Sequence, residues 1–149
     1  MSAAATASQP VYGLECKAVW CERILSGEKS IEVRAYPPPL EMAGQRVLLL
    51  ASEGDEGVAT FGDAIEPGQH GGSVVGWVLF DSAAVEYTSC AAFTADAALH
   101  CVPPGSPYAF QEGSPPLFGW RVVASHRNAA PQPLPAMQRV VRSVYKRRT

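Results

Sequence analysis

The pattern of apolar and polar positions divides the chain into short strands with brief helical insertions. Tyr12 to Lys17 reads as a short strand. Val19 to Ser26 has helical spacing, with Trp20 and Ile24 four apart and Cys21 and Leu25 likewise, and Gly27 is placed as a left-handed C-terminal cap. Ser30 to Tyr36 alternates: Ile31, Val33 and Ala35 take one face, while Ser30, Glu32, Arg34 and Tyr36 take the other. Pro37, Pro38 and Pro39 end that strand. Arg46 to Ser52 is apolar on both faces, which predicts a central strand, and Ser73 to Asp81 predicts a second buried one.

The second half is less regular. Glu53 to Gly72 is a long loop with room for a helical turn. Cys90 to Cys101 predicts a helix, started by Ser89 or Thr94 and stopped by Pro103 and Pro104. Leu117 to Ser125 predicts a strand with Phe118, Trp120, Val122 and Ala124 on one face. Pro131, Pro133 and Pro135 mark an extended connector. In the tail, Met137, Val140, Val141, Val144 and Tyr145 fall on one helical stripe. Several strands with two or three short helices predict an α+β domain built on a small, partly open β-barrel, without a doubly wound parallel sheet. The expected division is a disordered lead over residues 1–11, the domain over 12–136, and a basic amphipathic C-terminal tail over 137–149.

Composition sharpens this picture at a few points. A chain of 149 residues, 47% hydrophobic, suits one domain with a substantial core. Its longest apolar runs, Val47 to Ala51 and Trp77 to Phe80, fall far short of the roughly 20 residues that cross a bilayer. The first ten residues carry neither a basic cluster nor an apolar core, so the expected setting is intracellular, cytoplasm or nucleus. The net charge of −2 hides a split. The tail after Met137 holds Arg139, Arg142, Lys146, Arg147 and Arg148 and no acid. Subtracting these five from 12 bases leaves seven against 14 acids, so the body carries −7. The acidic body is therefore not expected to attract nucleic acid at long range, and any anion must be held locally, by the basic first third, the tail, or both.

The sharpest chemistry lies between Lys29 and Arg34. Glu32 and Arg34 are two apart on a strand and share a face, and Lys29 precedes them in the turn. One reading is a salt-bridge cluster that ties helix to barrel. The other is a polar floor for a ligand, in which Arg34 and Lys29 hold phosphate or carbonyl oxygens and Glu32 orients them or accepts base-edge donors.

The stretch Leu14 to Ser52 resembles the ASCH family of PUA-like β-barrels. The matching residues are Trp20 on a short helix; Gly27, Lys29, Glu32 and Arg34 in the order G-x-K-x-x-E-x-R; Gly44; and the apolar strand Val47 to Ser52. The later stretches GGSVVGWVLFDS and LFGWRVV are similar to the family's middle strand and its terminal G-x-W-x-V strand. Val19 stands where the family often has Pro. The resemblance implies an RNA- or nucleotide-binding module serving transcription coactivation or RNA processing. Lys29, Glu32 and Arg34 would floor the groove, and Tyr36 or Trp20 would be available for stacking, although a helix Trp more often packs in a core.

Two other functions stay open. One ASCH branch resembles an amidohydrolase acting on N4-acetylcytidine through a Lys, a Thr three residues later and a downstream acid. Carried over, Lys29 fits and Glu32 stands in the Thr position, so Lys29 and Glu32 are the candidate catalytic residues of that reading. Asp96 and His100 lie downstream without a fixed match to the acid. The third reading is an adaptor that meets a protein partner through its C-terminal tail. The expected state is a monomer with no cofactor.

The cysteines, Cys16, Cys21, Cys90 and Cys101, form no C-x-x-C pair and match no zinc-finger spacing, so they read as free thiols. His70, His100 and His126 are scattered and read as surface or internally satisfied groups. Neither metal nor disulfide is therefore expected to hold the fold. A thermal melt should be unchanged by a chelator and by a reductant, and a large drop with either would refute that expectation.

Overall fold

In the computed structural model, which describes residues 10–148, the chain forms a mixed sheet with three short helices. The strands are β1 (Tyr12–Lys17), β2 (Ile31–Arg34), β3 (Arg46–Ser52), β4 (Ala64–Ile65), β5 (Gly72–Phe80), β6 (Val85–Tyr87), β7 (Leu117–Gln132), β8 (Met137–Val141) and β9 (Val144–Arg147). The helices are α1 (Ala18–Leu25), α2 (Cys90–Ala95) and α3 (Ala97–His100), with a 3₁₀ turn over Leu40–Met42. The sheet runs β2-β7-β5-β3-β1-β9-β8-β4, and β6 pairs with β7. Among the described strands only β1 and β3 pair in parallel.

The five strands read from the sequence form the barrel, β2-β7-β5-β3-β1. β3 lies between β5 and β1, and both its faces are covered. Val47, Leu49 and Ala51 join one core with Leu14, Ile24, Phe80 and Trp120. Leu48 and Leu50 join a second with Ile65, Leu134, Met137 and Tyr145. A third cluster, centred on Tyr87, Phe93 and Phe110, packs α2 and the following loop against β6. α1 ends as its sequence predicts: Ser26 donates to the Glu22 carbonyl, and Gly27 follows in the left-handed region at φ 84°.

The structure corrects four details. The expected helix over Cys90 to Cys101 is two helices that break at Asp96. Ser89 caps the first by accepting from the Ala92 amide, and the Asp96 carboxylate accepts from the Tyr87 hydroxyl. β7 continues past Ser125 to Gln132, through Pro131, because β5 offers it a partner as far as Val74. The loop after Ser52 contains the two-residue strand β4.

The fourth correction concerns the tail, which is a β-hairpin rather than a helical stripe. Three of its five apolar residues are valines, and β-branched side chains suit a pleated, half-buried surface. β1 also has a free edge on the side away from β3, and β9 fills it, pairing Tyr12 with Lys146 and Leu14 with Val144. The hairpin turns at Arg142 and Ser143, with Arg142 at φ 51°. Most of the disordered lead expected over residues 1–11 lies outside the described residues. Within them, the carbonyls of Pro10 and Val11 accept from the Arg147 side chain and backbone.

Met137, Val144 and Tyr145 are fully buried. Met137→Ala should therefore cost about 2–5 kcal/mol, the range for truncating a buried Met, and removal of residues 137–149 should abolish cooperative unfolding. Urea denaturation followed by tryptophan fluorescence measures both. A truncated chain with the parent's transition would show that the hairpin is dispensable.

Candidate functional site

β1 runs between β3 and β9, but its pairing with β9 stops at Leu14. Beyond that point the Glu15 carbonyl has no strand to meet. Arg34, on β2, fills the place: its Nη2 donates to the Glu15 carbonyl at 3.1 Å and approaches Cys16 Sγ at 3.6 Å. Arg34 also holds Glu32 Oε2 with Nε at 2.9 Å and Nη2 at 2.7 Å. The β2 end of the sheet thus returns to β1 through side chains rather than a backbone ladder, and the barrel stays partly open.

Glu32 is the centre of this cluster. Its Oε2 also accepts from Cys16 Sγ at 3.5 Å, and its Oε1 lies 3.5 Å from Lys29 Nζ. Lys29 is only 2% exposed and donates to the carbonyl of His100 at the end of α3. Burial by itself pushes the Glu32 carboxyl up. Arg34 and Lys29 more than reverse that and hold it below the usual carboxylate range. Burial works against the Arg34 charge and Glu32 outweighs it, so Arg34 is a permanent cation. The Cys16 thiol is pushed well up, first by a hydrogen bond with the Cys21 thiol and then by burial and Glu32, which favours the protonated form.

These residues also form the wall of a cavity of about 310 Å³. Lys29, Glu32 and Arg34 thus form the salt-bridge cluster of the first reading, and the same cluster lines a cavity. Trp20 lines the cavity from α1. Its ring has the Lys29 ammonium and the Arg23 guanidinium each 4.9 Å from its centroid, and its Nε1 donates to Glu56 Oε1 at 3.0 Å. Tyr36 does not line it. Its ring packs edge-on against Trp120 at 5.5 Å, its carbonyl accepts from Trp120 Nε1, and Arg142 stands over its other side.

Among the lining residues that the sequence did not mark as site candidates are Glu15, Lys17, Ser52 and Tyr108. Glu15 and Lys17 alternate with Leu14 and Cys16, and a carboxylate in a buried strand was the available signal. Ser52 ends the apolar run of β3. Tyr108 comes from the loop after α3 and gives no local sign of its place. Asp96 and His100 do not line the cavity, although the His100 backbone supports Lys29. Among the described residues no cluster of side chains has the makings of a metal site, and all four cysteines are free.

The His100 ring is sealed and doubly bonded. Its Nδ1 accepts from the Val102 amide at 2.9 Å, which leaves Nε2 to donate to the Phe93 carbonyl at 2.8 Å. Only the neutral imidazole satisfies both. Burial pushes its pKa below the ordinary value; the Phe93 carbonyl opposes this and Lys29 reinforces it. The unfolded chain takes up a proton at His100 below about pH 6.5, while the folded chain resists. Stability should accordingly fall as pH drops from about 6.5 toward 5, with the Glu32 contribution lost only further down, below the usual carboxylate range. Urea midpoints across that window check this, and His100→Gln should flatten the slope. An unchanged slope in the variant would assign the effect elsewhere.

No family model matches the chain, and no curated protein matches it in sequence. Among solved structures it is similar to the crystal structure of ZmASCH from Zymomonas mobilis, determined as a serine-to-alanine mutant. The identity is 17%, the match covers 83% of this chain and 72% of that one, and the TM-score is 0.52. With the mixed sheet, the short helices and the open seam between β2 and β1, that likeness shows the fold: the chain is an α+β, partly open barrel with the architecture of that ASCH protein, as the Leu14-to-Ser52 stretch led us to expect.

Proposed function

We propose that this protein binds RNA and takes one unstacked base, or a free nucleotide, into the cavity beside Lys29, Glu32 and Arg34. The carrying observation is the cavity itself, about 310 Å³ with a buried ionic floor and Trp20 in its wall. That volume is at the lower end of small-ligand pockets and suits a single heterocycle. Proteins that read RNA by sequence splay out single bases and hold them in this manner. An acidic body also fits capture of one base better than a long electrostatic track along a duplex.

The observations favour binding over the amidohydrolase reading. Lys29 faces two acceptors, the His100 carbonyl and Glu32 Oε1, an arrangement that suits a fixed donor better than a nucleophilic amine. Glu32 occupies the position in which that reading calls for a Thr. Nothing favours an adaptor built on the tail, because Met137, Val144 and Tyr145 are committed to the sheet.

The test is a titration of a short mixed-sequence single-stranded RNA, and of each nucleoside monophosphate, against the parent and Trp20→Ala. We expect saturable binding that Trp20→Ala weakens by about 1–3 kcal/mol, the range for a base stacked on an aromatic, with partial rescue by Trp20→Phe. Because two carboxylates, Glu15 and Glu32, line the cavity beside its three cations, Lys17, Lys29 and Arg34, the excess positive charge is small and the salt dependence should be shallow. No binding of RNA or nucleotide by the parent, or equal affinity of parent and Trp20→Ala with matched melting temperatures, would sink the reading.

A further inference from the structure

A nucleotide brings a phosphate as well as a base, and the cavity wall has little to hold it with. Each cation of the wall has a carboxylate within 4.0 Å: Lys29 and Arg34 share Glu32, and Lys17 approaches Glu15. Lys29 and Arg34 also donate to the carbonyls of His100 and Glu15. Lys17 donates to the Glu53 carbonyl and the Thr60 hydroxyl, each at 2.8 Å. A phosphate against this wall meets nearly balanced charge, so its binding has to come from the rim.

The rim is electrostatically uneven. Its exposed residues fall in two places: Gly57, Val58 and Ala59 on the loop after β3, and Ala35 just beyond β2. The half-buried Ser143 of the β8–β9 turn also lines the cavity, and its amide donates to the Tyr36 hydroxyl at 3.4 Å, beside Ala35. The loop side carries Glu53, Asp55 and Glu56, all exposed and, among the described residues, in no ion pair. The turn side carries Arg142. It is exposed, and among the described residues no carboxylate lies within 4.0 Å of it.

The backbone fixes Arg142 in that place. The Ser143 carbonyl accepts from the Glu15 amide at 2.8 Å, and the Arg142 carbonyl accepts from Arg139, which is itself anchored on Asp63. The Arg142 guanidinium stands 5.8 Å from the centroid of the Tyr36 ring. At φ 51° in a two-residue hairpin turn, Arg142 holds a conformation that glycine and asparagine adopt far more easily. Strained positions of this kind collect where a side chain has a function.

We infer that Arg142 binds the phosphate adjoining the base held in the cavity, so that the base points inward and its backbone lies on the hairpin side of the mouth. The inference rests on the reading that the protein takes up one base of RNA or a nucleotide, and it places the phosphate. Arginine suits this role because its planar fork can meet two phosphate oxygens at once. The acidic loop repels a backbone laid across the other side.

The probes are cytidine, its 5′- and 3′-monophosphates and the same short RNA, titrated against the parent, Arg142→Gln, Arg142→Lys, Arg142→Gly and Lys146→Gln. The parent should prefer one monophosphate over cytidine by about two- to fivefold, as for an exposed ion pair. Arg142→Gln should remove that preference and lower the salt slope for RNA by about 0.7, one phosphate contact on a single strand. Arg142→Lys should keep most of both. Arg142→Gly should melt above Arg142→Gln, because it relaxes the turn, yet lose the same preference; a merely structural Arg142 would make binding follow the melting temperature. Lys146, on the same hairpin but over Tyr12, should matter less.

A phosphate preference that persists in Arg142→Gln, or an equal loss in Lys146→Gln, overturns the assignment. So does polyglutamate that displaces RNA from the parent as well as unlabelled RNA does, since Arg142 would then serve an acidic protein partner. If RNA binding depends on Trp20 and is the same in the parent and Arg142→Gln, base capture stands and the phosphate contact falls. If Arg142→Gln weakens RNA binding and Trp20→Ala does not, the phosphate contact stands and base capture falls. If neither RNA nor nucleotide binds, both are overturned.

Discussion

A carboxylate with almost no access to water has to be neutralised where it stands, and Glu32 imposes that requirement on everything around it. Removing such a charge from water costs several kcal/mol even after relaxation, so its cations must be fixed and close. Arg34 is fixed by the Glu15 carbonyl and Lys29 by the His100 carbonyl. Those two anchors belong to different parts of the molecule: the unpaired stretch of β1, and the end of the helical segment packed on β6. Meeting the demand of one side chain therefore joins β2, β1 and α3. It also accounts for the neutral His100 ring, whose bonds to Phe93 and Val102 hold the turn that presents the carbonyl to Lys29.

The cavity is a by-product of the same closure. Side chains span a wider gap than backbone hydrogen bonds do, so a barrel seam bridged by Arg34 and Glu32 leaves space beside it. The cluster that stabilises the seam forms one wall, and the parallel pair β1 and β3 supplies another. The proposed binding role is therefore hard to separate from the structural one at Lys29, Glu32 and Arg34, where a substitution would disturb both.

Much of the barrel could be read from the chain because its signals are local. Val47 to Ala51 is apolar at every step of both faces, and the structure covers both. Gly27 ends α1 as its conformational freedom predicts. The alternation of Ile31, Glu32, Val33 and Arg34 marked β2 and placed the two charges together. The failures share a different cause. The tail stripe has helical spacing, and only the vacant edge of β1, far away in sequence, turns it into strands. The break at Asp96 depends on the Tyr87 hydroxyl. β4 and β6 are two and three residues long and are defined by their partners. The cavity was half legible: its charged floor lay in one motif, whereas Glu15, Ser52 and Tyr108 reach it from three separate segments.

The placement of β9 between β1 and β8 also bears on how the molecule assembles. The β8–β9 hairpin closes over a two-residue turn and can form within microseconds. β1 and β9, by contrast, come from opposite ends of the described chain, so their pairing must wait for almost the whole intervening chain to be drawn in. The side of β1 away from β3 is thus a late-filled position. Until it is filled, β1 presents open backbone donors and acceptors beside a row of apolar side chains, the kind of edge to which a second unfolded chain can add. The basic residues of the hairpin, Arg139, Arg142, Lys146 and Arg147, travel with the segment that fills it and confer mutual repulsion on copies at that stage.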